Sequence, residues 1–305
     1  MMLSRRNFFK IMGGAGASLA TITGNSHAGE SAETFDSFGC LVDITRCIGC
    51  RKCEVACNAH NKLPHQDFND MTVLDDYRRP DWEKYTVINR HHGYPVDDVD
   101  HNVHIYVKEQ CRHCVKPSCA SACVVGALTK KKNGPVVYDE KKCIGCRYCM
   151  VACPFQIPAY EDHNPVTPRV IKCTFCYDRI EQGKMPACAT ICPTQAMIFG
   201  KRDALLSIAK KRLKNNPGKY IDHIYGEYEV GGTSWLYLSP VEFSFFPELG
   251  NKPPPKLTEM ILSGVFGYAA APTSLFAILG AISWINNRKR SITLNEVSGR
   301  EGEEK

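Results

Sequence analysis

Sixteen of the seventeen cysteines in this 305-residue chain fall into four groups of four. The first and third groups are near copies of each other, CIGCRKCEVAC over residues 47–57 and CIGCRYCMVAC over residues 143–153. A [4Fe–4S] cluster needs four thiolates, and a C-x-x-C-x-x-C loop supplies three of them while a more distant cysteine supplies the fourth. The number and spacing of the cysteines therefore predict four such clusters and a role in electron transfer.

The second and fourth groups follow a looser form of the pattern, with C-x-x-C and then C-x-x-x-C, over residues 111–123 and 173–192. In bacterial two-cluster ferredoxins the last cysteine of each run binds the other cluster, so the runs work in pairs. The third and fourth runs end in Cys-Pro, as that pattern does, whereas Asn58 and Val124 follow the other two. Cys40, which belongs to no run, is expected to be a buried apolar residue on the strand before the first loop.

Structural zinc and a disulfide framework are the alternative uses of so many cysteines. A tetrahedral zinc ion usually takes two C-x-x-C pairs, and C-x-x-C-x-x-C followed by C-x-x-x-C exceeds what one ion uses locally. Disulfide frameworks are typical of short secreted chains, and adjacent C-x-x-C pairs make poor structural bridges. Both alternatives are weaker than the cluster interpretation, and a zinc protein at a membrane surface is the alternative from a different functional class.

Short strands and helices are expected to hold the cysteine loops in an α+β fold of two ferredoxin-like two-cluster modules. Residues 126–139 predict a hairpin with a Lys-Asn-Gly turn, which delivers Cys143. Residues 103–109 predict a short alternating strand before Cys111. The elements needed to position the cysteines are therefore small and local.

Residues 61–102 form a long polar insertion whose helix and strand content the pattern does not decide, and contact with a partner is the better interpretation. His113 lies within the second run and is expected to form hydrogen bonds near a cluster, since that run keeps all four cysteines. No c-type haem motif, Walker loop, dinucleotide motif or catalytic triad occurs in the sequence. The sequence predicts no catalytic residue.

An export signal is predicted at residues 1–28. The motif SRRNFFK at residues 4–10 precedes an uncharged, weakly apolar stretch over residues 11–23 and a small-x-small site at residues 26–28. This pattern resembles a twin-arginine signal, which directs the export of folded proteins. Clusters inserted before export are shielded from an oxidising compartment, so the signal and the cysteine runs support each other.

A transmembrane helix is predicted at residues 261–285, which carry no charge and are long enough to cross the hydrocarbon core. Residues 288–290, Arg-Lys-Arg, then place the tail at residues 286–305 in the cytoplasm and the cysteine-rich part in the periplasm. Pro272 and several small residues favour a buried core helix as the alternative, although small residues also suit packing within a membrane. Residues 216–256 form an extension that ends in a stiff proline-rich linker.

The formal net charge of +6 does not indicate nucleic-acid binding. Each oxidised cluster with its thiolates carries about −2, so four clusters bring the loaded chain to about −2 overall. The basic runs at residues 130–132 and 210–214 are then solvated faces or shields around anionic clusters. The basic residues are not interleaved with aromatic residues as they are in nucleic-acid modules.

Over about residues 38–285, these features resemble the four-cluster ferredoxin-like subunits of periplasmic membrane-bound respiratory enzymes. A twin-arginine signal together with a tail helix is most similar to the HybA-type subunit of hydrogenase 2 and to Hmc-type complexes. The beta subunit of formate dehydrogenase N is similar in its tail helix. Residues 225–238 are similar to the segment that precedes the membrane helix in this family, and residues 38–215 are expected to be the double ferredoxin-like domain.

The resemblance implies a non-catalytic electron-transfer subunit at the periplasmic face of the inner membrane. Its implied partners are a nickel–iron hydrogenase catalytic subunit and an integral membrane subunit that reacts with quinone or contains cytochrome b. A molybdenum or tungsten enzyme such as formate dehydrogenase is the alternative catalytic partner.

In the resembling family the first run pairs with the fourth and the second run pairs with the third. That pairing implies four ligand sets, named sites I to IV. Site I takes Cys47, Cys50, Cys53 and Cys192; site II takes Cys57, Cys173, Cys176 and Cys188; site III takes Cys111, Cys114, Cys119 and Cys153; site IV takes Cys123, Cys143, Cys146 and Cys149.

Overall fold

The protein is built from short strands and short helices, in agreement with the α+β expectation. The computed structural model describes residues 37–92, 104–161, 169–254 and 275–288. The strands are β1 (Phe38–Asp43), β2 (Thr86–His91), β3 (Ile105–Gln110), β4 (Leu128–Lys130), β5 (Val136–Tyr138), β6 (Ala159–Tyr160), β7 (Val170–Ile171), β8 (Met197–Lys201) and β9 (Trp235–Leu238). The helices are α1 (Lys52–Asn61), α2 (Ser118–Ser121), α3 (Tyr148–Val151), α4 (Tyr177–Glu181), α5 (Ala187–Ile191), α6 (Arg202–Asn215) and α7 (275–288).

A three-stranded sheet supports the first and fourth cysteine runs. Its order is β8-β1-β9, with β1 antiparallel to β8 and parallel to β9. Strand β1 has few polar residues because both of its faces are covered, and Cys40 and Leu41 on opposite faces are both 0% exposed. The prediction that Cys40 is a buried apolar residue on the strand before the first loop is confirmed.

The first and third cysteine runs repeat one backbone conformation. A 3-10 turn leads into each loop, the loop glycines Gly49 and Gly145 have φ of +68° and +69°, and Arg51 and Arg147 precede the following helix with φ of +56° and +62°. Left-handed backbone at two fixed positions folds each loop back on itself, so its cysteines face one centre. The sequence repeat is thus a structural repeat.

Two hairpins carry the chain into the second and third runs. Strands β2 and β3 pair along their whole length from Thr86–Gln110 to His91–Ile105, and Cys111 follows β3 directly. Strands β4 and β5 pair around the turn at Gly134, whose φ is +114°. The predicted hairpin and the predicted strand before Cys111 are therefore both present, while β2 gives part of the insertion a regular structure that the sequence did not indicate.

The insertion is attached to α1 through a buried carboxylate. Glu54 accepts hydrogen bonds from Arg51 Nε at 3.1 Å, from Arg78 Nη2 at 2.7 Å and from the backbone N–H of Ile88 at 2.6 Å. Arg51 also donates to the carbonyl of Asp70 at 2.6 Å. These contacts fix the loop before β2 against the helix that follows the first cysteine loop.

The extension after the fourth run completes the core of the first module, the module that contains the first and fourth cysteine runs. Strand β9 lies beside β1, and Trp235, Leu236, Tyr237 and Leu238 are all 0% exposed. Tyr225, Phe243 and Phe246 pack around Tyr237 with ring centroids 4.8–6.4 Å apart. Strand β9 and the aromatic residues around it are therefore part of the core, and Pro253 of the proline-rich stretch lies beside Gly231.

Most of both predicted terminal segments lie outside the described residues. These are residues 1–28, most of the tail at 286–305, and residues 261–274 of the predicted span. The remainder of that span falls in α7, where Leu275, Phe276 and Trp284 are more than half exposed. Across the four described ranges, no helix has both the length and the apolar character needed to cross a membrane.

Candidate metal centres

The cysteines of site I line one cavity. Cys47, Cys50 and Cys53 reach it from the first loop and the start of α1, and Cys192 reaches it from the end of α5. The close packing of the loop requires glycine at residue 49, because a Cβ there would lie 2.4 Å from the ring of Tyr106.

The cysteines of site II line a second cavity. Cys57 reaches it from α1, Cys173 and Cys176 from the loop before α4, and Cys188 from α5. Cys53 and Cys57 are four residues apart on α1, which places both side chains on one face of the helix, one turn apart. This spacing explains how one run supplies ligands to two neighbouring centres.

Sites III and IV are recognised from the mutual influence of their thiols. Burial raises the pKa of Cys114 well above its ordinary value, and the negative charges of Cys111, Cys119 and Cys153 raise it further. Burial likewise raises the pKa of Cys149 to about 11, with contributions from Cys123, Cys143 and Cys146. Cys114 and Cys149 are thus each influenced by the other three members of their own set.

The four sets lie close enough to one another for their ionisable groups to interact. Cys53 of site I and Cys188 of site II act on the same lysine, Lys108. Burial raises the pKa of Cys173 of site II to about 12, and Cys111 of site III adds to that rise. Cys149 of site IV acts on Cys119 of site III. The neighbour relations therefore run from I to II to III to IV.

His113 fills the junction between sites II and III. The ring is 0% exposed, its Nδ1 accepts a hydrogen bond from the Val136 N–H at 2.9 Å, and it stacks on Phe175 with centroids 4.9 Å apart. Burial holds the pKa of His113 well below its ordinary value, so the ring is neutral. The expected hydrogen bond is present, and the ring serves as packing between two cysteine loops.

The donor set fits an iron–sulfur cluster. All seventeen cysteines are described and none forms a disulfide. Several backbone N–H groups of the loops donate to cysteine sulfur, from Ala127 to Cys123 at 3.1 Å and from Phe175 to Cys173 at 3.3 Å. Such N–H donors stabilise thiolate ligands, which burial alone disfavours. Within the described ranges, no group of three or more His, Cys, Asp or Glu side chains is placed to hold a single metal ion.

Two buried lysines near these sites were not identified from the sequence. Lys108 lines the cavities of both site I and site II. Lys172 is 5% exposed and donates to the carbonyls of Val136 and Cys173. A lysine on a short strand is ordinarily solvated, and the only signal in the sequence was the position of each, one to three residues before a cysteine run.

The chain is similar to known proteins, both within one domain and over most of its length. Residues 102–202 match the 4Fe-4S dicluster domain. A protein of Nitratidesulfovibrio vulgaris (strain Hildenborough) is 46% identical, over 96% of this chain and 80% of its own. The hydrogenase-2 operon protein HybA of Escherichia coli O157:H7 is 36% identical, over 79% of this chain and 82% of its own. The formate dehydrogenase-O iron-sulfur subunit of Escherichia coli K12 is 36% identical, over 65% of each chain.

Short strands and helices around repeated cysteine loops define the class of ferredoxin-like iron–sulfur proteins. This chain belongs to the 4Fe–4S dicluster family that includes HybA and the formate dehydrogenase iron–sulfur subunits. The individual ligands of sites I to IV, and the presence of four clusters, stay predictions.

Proposed function

We propose that the chain is the electron-transfer subunit of a periplasmic membrane-bound oxidoreductase. It carries four [4Fe–4S] clusters and relays electrons between a hydrogenase catalytic subunit and a membrane partner that reacts with quinone or contains cytochrome b. The observation that carries the proposal is the presence of four neighbouring cysteine sets, because neighbouring redox centres provide a path for electrons.

The residues around the sites hold the clusters and set their surroundings. When bound, each cluster accepts and releases one electron. The cysteines fix its position, the loop N–H groups donate to their sulfur atoms, and the apolar core around Trp235 and Phe175 excludes water. These roles need no acid, base or nucleophile, which is why we assign the chemistry of the substrate to a separate subunit.

The extent of similarity favours a hydrogenase as the catalytic partner. The similarity to HybA spans 79% of this chain, compared with 65% for the formate dehydrogenase-O subunit. The identities are equal at 36%, so a molybdenum or tungsten formate dehydrogenase is the second candidate.

The proposed location depends on the two ends of the chain. Residues 1–28 would direct twin-arginine export, and residues 261–285 would anchor the folded subunit with its clusters in the periplasm. The charge-free segment at residues 261–285 and the basic residues 288–290 that follow it support this arrangement.

The test is anaerobic purification of the chain, with its native partners, from detergent-solubilised membranes. We expect a brown complex with at least about sixteen iron atoms and sixteen sulfide ions per copy of this chain, to which the partner subunits add their own, and a nickel-containing large subunit. A copurifying molybdenum or tungsten subunit would select the second candidate. A colourless preparation containing zinc and no sulfide would refute the electron-transfer function itself.

A further inference from the structure

Lys108 is a buried cation between sites I and II. It is 2% exposed on β3, and its side chain lines both cavities. Nζ donates to Thr86 Oγ1 at 2.7 Å and to Gln110 Oε1 at 3.0 Å, and it lies 4.6 Å from the centroid of the Trp235 ring. Its direct partners are thus two neutral oxygens and one aromatic face, and none of them carries a compensating charge.

No carboxylate in the described parts of the chain forms an ion pair with Lys108. The adjacent Glu109 is engaged elsewhere, since its carboxylate accepts hydrogen bonds from Asn89 at 3.0 Å and from the Tyr77 hydroxyl at 2.9 Å. A buried charge without a partner of opposite sign is strongly unfavourable. The anion that balances Lys108 must therefore come from the cavities that it lines.

Both sites supply negative charge around this ammonium group. The ionisable groups that act on it most strongly are thiols, Cys188 and Cys173 of site II and Cys53 of site I. A [4Fe–4S] cluster with four thiolates is anionic, and it becomes more negative by one charge when it is reduced. A fixed positive charge beside it favours the reduced state.

We propose that Lys108 is a shared counter-charge that raises the reduction potentials of the clusters at sites I and II, an inference that rests on the proposed function. Each reduction adds one electron to one cluster, supplied by the catalytic partner and passed on toward the membrane. Lys108 gains and loses neither a proton nor an electron. Because the two sites share one cation, the same residue sets the energies of both centres.

Lys130 provides a matched comparison at the other module. Its Nζ donates to the carbonyls of Cys114 at 2.7 Å and His113 at 3.1 Å, within the loop of site III. Its charge is placed to act on site III, and Lys108 is placed to act on sites I and II. Removal of each lysine should therefore change different clusters.

The experiment is an EPR-monitored redox titration of the complete complex carrying Lys108→Met, Lys108→Arg or Lys130→Met. Methionine keeps length and apolar packing against Trp235 while removing the charge, and arginine keeps the charge. We expect two of the four midpoint potentials to fall in Lys108→Met and to stay near wild type in Lys108→Arg. Lys130→Met should lower a potential that Lys108→Met leaves unchanged.

The remaining outcomes are also decisive. If Lys108→Met loses about half of the iron while Lys108→Arg keeps all of it, the charge is required to assemble the two clusters, which supports the inference. Unchanged potentials in Lys108→Met, or equal cluster loss in the methionine and arginine variants, would overturn the role of the charge. A wild-type complex without [4Fe–4S] signals would overturn the proposed function as well.

Discussion

Cys53 and Cys57 lie one turn apart on α1, yet they line different cavities. The same spacing recurs in α5, where Cys188 lines the cavity of site II and Cys192 that of site I. Each of the two helices contributes one cysteine to site I and one cysteine to site II. The two sites are therefore held at a fixed separation, because neither helix can move without displacing both sites. This reciprocal arrangement leads to a prediction about iron content.

The iron content of paired substitutions should reveal which cysteines share a cluster. Cys57→Ala alone should lose one cluster, about four iron atoms. Cys57→Ala with Cys176→Ala should lose no more, because both belong to site II, whereas Cys57→Ala with Cys50→Ala should lose two clusters. Iron and sulfide analysis of purified protein measures this, and Cys40→Ala is the control that should keep every cluster.

Equal losses in the two double variants would mean that the cysteines are not divided between sites I and II as predicted. Loss of iron in Cys40→Ala would contradict the assignment of Cys40 as a core residue outside the ligand sets.

Gly49→Ala should destabilise the first loop more than Gly126→Ala destabilises its own turn. Both glycines have a left-handed backbone, at φ of +68° and +64°, and an added side chain costs about 1–3 kcal/mol from that conformation alone. At Gly49 the new Cβ also meets the Tyr106 ring at 2.4 Å, whereas nothing lies within 4 Å at Gly126. Visible absorbance follows the thermal loss of the clusters, and the apparent midpoint temperature should fall further in Gly49→Ala than in Gly126→Ala. Equal shifts of the midpoint in the two variants would show that the Tyr106 ring moves aside freely.

At the scale of elements, α1 and β2 are connected by Glu54. Its side chain is 2% exposed and pairs with both Arg51 and Arg78. Removal of one member of a buried ion cluster leaves the others unpaired, which typically costs about 3–5 kcal/mol. Glu54→Ala should therefore loosen the insertion and lower the thermal midpoint strongly.

Glu140→Ala is the matched control for Glu54→Ala. Glu140 pairs with Arg169 at 3.3 Å, and both side chains are about half exposed, so its removal should cost less than about 1 kcal/mol. Limited proteolysis within residues 61–92 should accelerate in Glu54→Ala and not in Glu140→Ala. Equal stability of the two variants would contradict a structural role for the buried carboxylate.

The elements that sequence reasoning found are those with local signals. The β4–β5 hairpin was predictable because Asn133 and Gly134 have the chemistry that a tight turn needs. The parallel pairing of β1 with β9 brings together Cys40 and Trp235, which are far apart in the chain. The four apolar residues of β9 do not by themselves indicate which strand they pair with. The pairing of Glu54 with Arg78 depends on tertiary packing in the same way.

For the candidate sites too, local features were predictable from the sequence and long-range features were not. Cysteine spacing identified the kind of ligand and the number of sets, while the assignment of runs to pairs came from the family resemblance. Lys108 was not identified from the sequence because its burial depends on the cavities on both of its sides. No local pattern in the sequence indicates those cavities. Long-range burial is the physical property that spacing does not encode.

For the whole molecule, the extension and the tail have separate roles. Removal of residues 257–305 should give a soluble, cluster-loaded protein that accepts electrons from its catalytic partner and no longer reduces quinone, because every cysteine precedes residue 193. Full quinone-linked turnover by this variant would show that the tail is dispensable for membrane attachment.

Removal of residues 216–305 is the contrasting truncation. It deletes β9, which pairs with β1 and contains four residues at 0% exposure. We expect this chain to aggregate or to lack the site I and site II clusters, as measured by size-exclusion chromatography and iron content. A monomeric, fully loaded product would mean that the extension is not part of the core.

The twin-arginine interpretation is tested by Arg5→Lys combined with Arg6→Lys. The protein should stay in the cytoplasm with its clusters intact, because the signal would be lost while the domain is unchanged. Lys10→Arg is the control that should be exported, and fractionation followed by EPR measures both properties. Periplasmic recovery of the double variant would show that another route operates.

Because β1 pairs with β9, the first module can be completed only late in translation. Strand β1 leaves the ribosome early, but its partner β9 spans Trp235–Leu238. The predicted ligand set of site I is likewise incomplete until Cys192 has been synthesised. The second module, with all of its cysteines between residues 111 and 153, is fully synthesised before either partner appears. The first module therefore closes last during translation, after the second module has had time to fold, and a chain released early leaves β1 without its partner β9.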